Sequence, residues 1–317
     1  MILVTGSLAF DYIMDFPGSF ADHIDPKKIH ILNLSFLVNT LKKEKGGTAG
    51  NIAYTLALLK QRVGILSCAG NDFDDYKIFL EKNGVDTSNI KIIPNEGSAM
   101  AFITTDKNDN QITGFYPGSM NFDKDLQIEN PKPDFLIIAP TSTEAMINFA
   151  KQALKLNIPY MFDPGMQLPR FSNEELNKGI KSAKILIGND YEIGLIKSRL
   201  KLSDDDLLKI VEILIITLGA QGSIIKIRSK EFKISPAVPK EVVDPTGAGD
   251  AYRSGFITGY LNNLDLEICG QMGSLTACFA IEKYGTTNHQ FSKEEFKKRF
   301  KENYGKELSL DTQELSF

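Results

Sequence analysis

The stretch Val243-Asp244-Pro245-Thr246-Gly247-Ala248-Gly249-Asp250-Ala251-Tyr252 is the most informative part of the chain. It predicts the end of a strand, a glycine-rich turn and the first turn of a helix. The first backbone N–H groups of a helix lack intrahelical acceptors, so those of Gly247, Ala248 and Gly249 would be free. Together with the helix dipole, these groups would form a small anion-binding site.

A carboxylate, Asp250, stands directly beside this predicted anion site. An anion site next to a general base is the arrangement that moves a phosphoryl group onto a hydroxyl. An ordinary carboxylate is ionised at pH 7, so we expect Asp250 to need the right position more than a shifted pKa. A glycine-rich helix cap without chemistry is the structural alternative. The length and composition of the stretch favour a kinase.

The bulk composition is that of an ordinary globular protein with one large domain or two small ones. The 317 residues are 42% hydrophobic and 24% charged, with a formal net charge of −4. No long block of Lys and Arg occurs, which argues against a nucleic-acid partner. Cys68, Cys269 and Cys278 are too scattered for a disulfide framework or a zinc site. Neither a membrane-length apolar run nor a signal peptide is present, so we expect no membrane partner and a cytoplasmic protein.

Short apolar runs alternate with helical stretches over most of the chain. The runs are Ile2–Thr5, Val63–Cys68, Phe135–Ala139, Tyr160–Asp163, Ile185–Gly188 and Ile213–Leu218. Such runs predict a mostly parallel sheet covered by helices on both faces. Residues 90–117 alternate with period two and predict a hairpin, whereas residues 16–45 look irregular. We therefore predict one α/β domain over residues 1–317, with a small β-rich lid from about 10–40 and 92–120.

Further segments carry polar groups or glycines suited to ligands. Gly46–Asn51 opens a helix, and Asp11 follows the first strand, where its carboxylate can accept hydrogen bonds from two neighbouring hydroxyls. Asn189–Glu192 supplies polar groups for a Mg²⁺–phosphate shell, and Thr217–Gly222 ends a strand with two glycines that let the chain pass under a nucleoside. Each has a structural alternative: a capped helix, a solvated turn residue, a helix N-cap or a tight connection.

Taken together, these ordered segments resemble the ribokinase-like (PfkB) family of carbohydrate and nucleoside kinases. The resemblance covers nearly the whole chain, from Gly6–Asp11 to the family signature at Asp244–Asp250. Pro245 departs from the threonine that is common in the signature. The substrate end is similar to bacterial adenosine kinases of the mycobacterial type, through Asn33–Val38, Phe115–Met120, Asp163–Leu168 and Asn189–Glu192. The resemblance implies a three-layer core and transfer of the ATP γ-phosphate to the 5′-hydroxyl of a nucleoside, adenosine being the expected acceptor.

The resemblance also assigns roles to single residues. Asp250 is expected to be the base that contacts the acceptor hydroxyl, with the amides of Gly247, Ala248 and Gly249 binding the transferring group. The residues expected at the ribose are Ser7, Asp11, Gly47 and Asn51. Those expected at the nucleoside are Ser35, Phe102, Phe115 and Gln167. Those expected at ATP are Asn189, Thr217, Gly219, Gly222 and Gly249. Glu192 is expected to act indirectly on Mg²⁺, and Asp244 to lie near a monovalent cation, K⁺ in many relatives.

Thr48 stands where ribokinases and many sugar-phosphate kinases carry a lysine. A flat, neutral purine needs aromatic walls and a few amide or hydroxyl partners rather than an extra cation, which favours a nucleoside. Two alternatives remain: a ribokinase-like kinase for ribose, fructose or a sugar phosphate, and a catalytically silent nucleoside-binding sensor. By analogy with the family, and because the predicted lid sheet has open edges, we expect a homodimer formed through the lids.

Overall fold

The computed structural model describes residues 1–24, 30–31, 33–108, 110–129 and 131–309. Its strands are β1 (Ile2–Thr5), β2 (Ala9–Asp15), β3 (Thr40–Gly46), β4 (Val63–Gly70), β5 (Val85–Asp86), β6 (Ile90–Ile93), β7 (Ala99–Thr105), β8 (Gln111–Tyr116), β9 (Phe135–Ile138), β10 (Tyr160–Phe162), β11 (Ile185–Asn189), β12 (Ile213–Thr217), β13 (Ser223–Ile227) and β14 (Lys230–Ile234). Its α-helices are α1 (Thr48–Leu58), α2 (Asp74–Lys82), α3 (Thr143–Leu156), α4 (Asn173–Ile180), α5 (Asp190–Leu200), α6 (Asp204–Ile210), α7 (Ala248–Leu261), α8 (Leu266–Ile281) and α9 (Lys293–Tyr304).

A ten-stranded sheet forms the centre of the fold, in the order β14-β13-β12-β11-β10-β9-β1-β4-β5, with β6 also paired to β4. The strands from β12 to β4 run parallel to one another, and β13 and β14 add an antiparallel edge. The carboxyl ends of the parallel strands therefore lie at one edge of the sheet. We call this edge of the central sheet the core edge. Open α/β sheets bind their ligands at such an edge.

Helices cover both faces of this sheet, which explains why its strands are apolar at nearly every position. Ile2 and Val4 of β1 are buried in the cluster that includes residues of α1, α2 and α7. Leu3, between them, is buried in the opposite cluster with residues of α3 to α6. Among the described residues, no helix is long and apolar enough to cross a membrane.

A second, four-stranded sheet in the order β3-β2-β7-β8 lies where the lid is predicted, and we call this sheet the lid. Its strands come from two separate stretches of the chain, residues 9–46 and 99–116. Only Gly6–Leu8 separates β2 from β1, so the lid begins as a continuation of a central core strand. The chain enters β7 and leaves β8 at neighbouring points, because a Cβ atom on Gly118 would lie 2.4 Å from the carbonyl oxygen of Gly97.

The structure confirms the predicted α/β class, the parallel sheet and the hairpin, but it corrects the reading of residues 16–45. The end of that region is β3, which pairs with β2, so the first lid segment extends to Gly46 instead of stopping near residue 40. The sequence did not predict this strand because residues 42–45 are charged and show no alternation of apolar residues. Edge strands tolerate such lysines. Residues 25–29, 32 and 109 of the two predicted lid segments lie outside the described residues.

Candidate active site

The core edge brings residues from distant parts of the chain together. Asn189 and Thr217 end β11 and β12 and are paired in register. The starts of α1 and α7 meet at this same edge, because Asn51 of α1 is hydrogen-bonded to Asp250 of α7. This is the place where open parallel sheets bind ligands.

The signature forms a turn followed by a helix start, as the sequence predicts, but the strand predicted to end there is wrong, since residues 235–247 form no strand. Gly247 is the N-cap of α7 and has a φ of 79°, a backbone conformation that favours glycine. Among the described residues, the structure records no acceptor for the backbone N–H groups of Gly247 and Gly249. The N–H of Ala248 donates to the carbonyl oxygen of Pro245 over 3.3 Å, which is long for a hydrogen bond. Two of the three predicted amides are thus free and the third is weakly held.

Asp250 lies in the first turn of α7, and its carboxylate is held by a hydrogen bond. The amide Nδ2 of Asn51 donates to Oδ2 of Asp250 over 2.8 Å. Burial raises the pKa of Asp250 to about 6, although the positive charge of Arg253 and the bond from Asn51 act to lower the pKa. The expectation of an unshifted carboxylate was therefore wrong. A carboxylate with a pKa near 6 is still mostly ionised at pH 7, and its basicity suits proton transfer at that pH.

Asp11 lies on β2 with its carboxylate against the backbone of Gly46, where no Cβ atom would fit. Burial raises the pKa of Asp11 to about 6, and the negative charges of Glu44 and Asp244 contribute to the increase. Asp11 also acts electrostatically on Asp250, so the two carboxylates share one site. They offer two acceptors for the hydroxyl groups of a ligand.

Ser7 and Gly47 form the junction between β1 and α1. The hydroxyl of Ser7 accepts the N–H of Thr48 over 3.2 Å, and its carbonyl accepts the N–H of Ala49 over 3.1 Å. Gly47 has a φ of 87°, and a Cβ atom there would lie 2.5 Å from the Ser7 carbonyl oxygen. Ser7 therefore accepts N–H groups at the start of α1 from outside the helix, which is a structural use of its hydroxyl. Contact of Ser7 or Gly47 with a ribose stays a prediction.

Several oxygen atoms near the core edge are buried without a hydrogen-bond donor among the described residues. They are Oδ1 of Asn51, Oδ1 of Asp163 and Oε1 of Gln167. A buried acceptor without a donor costs free energy, so such atoms are expected where a ligand supplies the donor. Asn51 and Gln167 are two of the residues predicted to hold the acceptor substrate, and their unsatisfied oxygens support that prediction.

The two predicted aromatic contacts lie on opposite faces of the lid. Ala101 is in register with Asp11 on one side and with Phe115 on the other, so Asp11 and Phe115 share a face, which we call the Asp11 face. Phe102 points to the other face, where its ring stacks on Tyr12 with centroids 5.2 Å apart. We call this second face the Tyr12 face. Phe102 therefore does not share the Asp11 face within one chain, and its contact with a nucleoside stays a prediction.

Ser35 is exposed in the loop that precedes β3. The next residue, Phe36, anchors this loop against Phe16 with ring centroids 4.6 Å apart. In the part of the chain that the structure describes, no recorded hydrogen bond joins Ser35 to Asp11 or Asn51. A contact between Ser35 and a nucleoside stays a prediction.

The residues predicted to contact ATP or to act on Mg²⁺ also have structural roles. Asn189 and Glu192 form a capping box at the start of α5, in which Oδ1 of Asn189 accepts the N–H of Glu192 and Oε2 of Glu192 accepts the N–H of Asn189, both over 2.8 Å. Burial raises the pKa of Glu192. Beyond Thr217, Gly219 and Gly222 have φ values of 56° and 87°, as a tight connection requires. ATP contacts by these residues stay predictions.

Asp244 fixes the signature turn to the loop after α8. Its Oδ1 accepts the N–H of Thr246 over 2.9 Å and its Oδ2 accepts the N–H of Gly285 over 3.0 Å. Across the described ranges, no group of three or more His, Cys, Asp and Glu side chains is placed to hold a metal ion. A monovalent cation near Asp244 stays a prediction.

Sequence reasoning missed the buried ion pair at the centre of the site. Nε of Arg253, on α7, lies 2.5 Å from Oδ2 of Asp163, at the end of β10, and both side chains are almost fully buried. The signal was a single arginine three residues after Asp250, in a helix that is otherwise small or apolar around it. A buried arginine requires a carboxylate partner, and Asp163 was available at the end of a predicted strand.

The fold and the site define a phosphotransferase that acts on an alcohol group. Residues 12–293 match the sequence profile of the pfkB family carbohydrate kinases, and the chain belongs to that family. Its fold is ribokinase-like, as the sequence resemblance implied.

Two relatives are similar over nearly their whole length. The chain is 34% identical over 286 residues to a nucleoside kinase of Methanocaldococcus jannaschii, covering 90% of this chain and 91% of the relative. The crystal structure of a nucleoside kinase from that organism, described as an archaeal member of the ribokinase family, superimposes with a TM-score of 0.87 at 32% identity, over 95% of this chain and 98% of that one.

The second relative is a nucleoside kinase of Burkholderia thailandensis. Its complex with inosine has a TM-score of 0.88 at 33% identity, covering 97% of this chain and 99% of that one. Its ADP–inosine complex has a TM-score of 0.84 at 34% identity, covering 99% of this chain and all 100% of that one.

Proposed function

We propose that this protein is an ATP-dependent nucleoside kinase that transfers the γ-phosphate of ATP to the 5′-hydroxyl of a purine nucleoside, with adenosine as the predicted acceptor. The observation that carries the proposal is the ionisable carboxylate of Asp250, fixed by Asn51 beside the free amides of Gly247 and Gly249. The relatives named as nucleoside kinases support the acceptor class. The inosine complex of one relative makes inosine the first competitor to adenosine.

In the proposed reaction, Asp250 accepts the proton of the 5′-hydroxyl while that oxygen attacks the γ-phosphorus and the bond to the β-phosphate oxygen breaks. The products are a nucleoside 5′-monophosphate and ADP. The amides of Gly247, Ala248 and Gly249 stabilise the charge that develops on the transferring group. Closure of the lid over Asp11 excludes water, which otherwise competes as an acceptor.

The lid and the loop after β10 support a nucleoside rather than a bare sugar. Phe115 presents a half-exposed ring on the Asp11 face, suited to a flat base. Gln167 offers an unpaired carbonyl oxygen to a base or hydroxyl donor. The hydroxyl of Thr48, where many sugar kinases carry a lysine, donates to the carbonyl oxygen of Pro140 over 3.0 Å and places no cation at the site.

Mg²⁺ is proposed to arrive as part of the MgATP substrate. Such ions keep several waters and use few protein ligands when they are held by phosphates. Glu192 fits an indirect role, because its Oε2 is engaged in the capping box while no hydrogen bond is recorded in the described chain for its Oε1. For K⁺, both oxygens of Asp244 already accept backbone N–H groups, and the remaining lone pairs could serve a cation.

A panel of acceptors tests the proposal. ATP consumption is measured with adenosine, inosine, guanosine, cytidine, ribose, fructose and fructose 6-phosphate at equal concentration, and the product is identified as the 5′-monophosphate. We expect nucleosides to exceed all sugars and adenosine to lead. Preferred turnover of a sugar would support the alternative of a sugar kinase. Nucleoside binding without transfer to any acceptor would support the sensor.

We also propose that two copies pair through the Tyr12 faces of their lids. Large apolar side chains on this face are exposed: Leu41 by 64%, Phe102 by 43%, Ile112 by 45% and Tyr116 by 45%. Their register positions place them on one side of the sheet, together with Tyr12. A contiguous exposed apolar face of this kind is typical of an interface, and a second copy offers the self-complementary surface that a two-fold dimer uses.

Light scattering at micromolar concentration tests this assembly. The wild-type protein should be a dimer, and Phe102→Glu should be a folded monomer because it places a charge in the apolar contact. Phe115→Glu, on the Asp11 face, is the matched control and should remain dimeric. A monomeric wild-type protein, or dimers with both variants, would contradict the proposed interface.

A further inference from the structure

Arg253 is a buried cation that the proposed reaction leaves without a role. Its side chain is 7% exposed and lies one turn beyond Asp250 on α7. A guanidinium in this position must be neutralised, and the ion pair with Asp163 over 2.5 Å does so on one side. Asp163 is itself 2% exposed, so the pair is fixed in the protein interior rather than at a solvated surface.

The other side of the guanidinium lies against the anion site. A Cβ atom on Gly249 would lie 2.8 Å from Nη1 of Arg253, so this nitrogen sits immediately beside the backbone of the signature turn. Among the described residues, the structure records no hydrogen bond from Nη1 or Nη2, and Nε, which lies against Asp163 in the ion pair, has none with hydrogen-bond geometry either. Nη1 is therefore placed beside Gly249, and both terminal nitrogens retain donors for a ligand.

We propose that Arg253 is a positioning residue of the active site: fixed by Asp163, its charge keeps Asp250 ionised and makes the Gly249 end of the anion site attractive to a phosphoryl group. This inference rests on the proposed function, in which Asp250 is the base. In this proposal, the ion pair with Asp163 holds the guanidinium of Arg253 between the base and the anion site. Without Arg253, the negative charges of Asp11, Asp163 and Asp250 would act on a site that must accept anionic phosphate.

The charges around Asp250 predict the direction in which its protonation changes when Arg253 is removed. Arg253, on the same helix, favours the ionised form of Asp250, and Asn51 of α1 supports it with a hydrogen bond. Asp163 after β10 and Asp11 on β2 oppose ionisation, and Tyr76 of α2 and Glu192 of α5 also face this cluster, next to Asp250 and Arg253 respectively. Removing the single cation from this group leaves the opposing carboxylates, so Asp250 must hold its proton to a higher pH.

The decisive variant is Arg253→Met, which preserves most of the volume and removes the charge. We expect the acid limb of the kcat/KM profile, measured with MgATP and adenosine or inosine, to move up by about one pH unit or more. Turnover at pH 6 should fall about fivefold or more, and KM for ATP should rise. Arg253→Lys keeps a charge and should leave the limb within about half a unit of the wild-type position.

A matched control removes another buried guanidinium, one that is not among the charges acting on Asp250. Arg299 of α9 is 6% exposed and is paired with Glu282, as Arg253 is with Asp163. Arg299→Met should lower the Tm but leave the acid limb unchanged. If Arg253→Met does not fold, Arg253→Met combined with Asp163→Asn removes both charges. It should still raise the limb, because Arg253 acts on Asp250 more strongly than Asp163 does.

The outcomes separate this inference from the function on which it rests. If Asp250→Asn retains normal turnover, the base lies elsewhere and both ideas are wrong. If Asp250→Asn is inactive while folded Arg253→Met keeps the wild-type limb and KM, only the role of Arg253 is wrong. An equal shift in Arg253→Lys and Arg253→Met would also overturn it, because the charge would then not be the cause.

Discussion

The core edge and the lid present their side chains very differently. At the core edge, Asn51, Asp163 and Arg253 are at most 7% exposed and are held by hydrogen bonds or ion pairs without any ligand. On the lid, Phe115 of the Asp11 face is 42% exposed. Under the proposed function, this difference means that the transfer chemistry is assembled in advance in the core, whereas acceptor recognition is completed only when the lid closes on a ligand.

The strongest test of the preassembled core edge is the substitution Asp250→Asn. We expect kcat to fall about a hundredfold or more while ATP binding survives, because the amide keeps the shape of the side chain but cannot accept the proton. Steady-state kinetics and ATP titration measure the two effects. Asp265→Asn, at the exposed N-cap of α8, is the control and should be unchanged. Near-normal turnover of Asp250→Asn would show that the core edge does not supply the base.

The pH dependence tests the same region without a mutation. Burial raises the pKa of Asp250 and of Asp11 to about 6, so both lose their negative charge as the pH falls through that value. Under the proposed function the base form is the active one, so kcat/KM should drop about tenfold or more between pH 7 and pH 5. Asp11→Asn should make the acid limb less steep, since only one group then titrates. A profile that is flat down to pH 5 would contradict the role of the raised pKa values.

The two faces of the lid are compared by two alanine substitutions. Phe115→Ala should raise the KM for the nucleoside about fivefold with little change in kcat, because it removes apolar contact made equally before and during transfer. Phe102→Ala, on the Tyr12 face, should leave this KM nearly unchanged. Initial rates over a range of nucleoside concentrations measure both. Equal effects of the two substitutions would contradict the assignment of nucleoside binding to the Asp11 face rather than the Tyr12 face.

The smallest expected effect concerns the junction between the two regions. Ser7→Ala removes a side-chain acceptor at the start of α1, and the loss of such an acceptor typically costs about 1 kcal/mol and would lower the Tm by about 2 °C. Ser292 is the N-cap residue of α9 and accepts the N–H of Glu295 over 3.0 Å, so Ser292→Ala is a control for the loss of an acceptor at a helix start. Similar Tm losses with an unchanged KM indicate a structural role for Ser7. A raised KM in Ser7→Ala alone would indicate ribose contact.

The parts of the fold that the sequence predicts are those whose local pattern and final environment agree. β1 and β9 to β12 are apolar at almost every position because helices cover both faces of their sheet. β3 shows the opposite case, since a charged strand becomes ordered only through pairing with β2. Pairing partners far apart in the sequence leave no local signal, so tertiary context decides such strands.

The candidate site residues also divide into those that the local sequence predicts and those that depend on tertiary structure. Asp250 and the glycines beside it were predictable because helix-start geometry follows from consecutive residues. The face to which Phe102 points depends on the register between β2 and β7, which the sequence of one strand does not contain. The pKa of Asp250 was not predictable either, because it depends on burial and on Arg253 and Asp163 acting together.

The origin of the lid from two stretches of the chain matters for anyone who wishes to build chimeras. β2 pairs with β3 on one side and with β7 on the other, so the first stretch and the second meet in the middle of the sheet. Exchange of residues 9–46 alone would set a foreign strand against β7, and exchange of residues 99–116 alone would do the same to β2. A single crossover therefore breaks the lid, and acceptor preference should be transferable between homologues only as a linked pair of inserts.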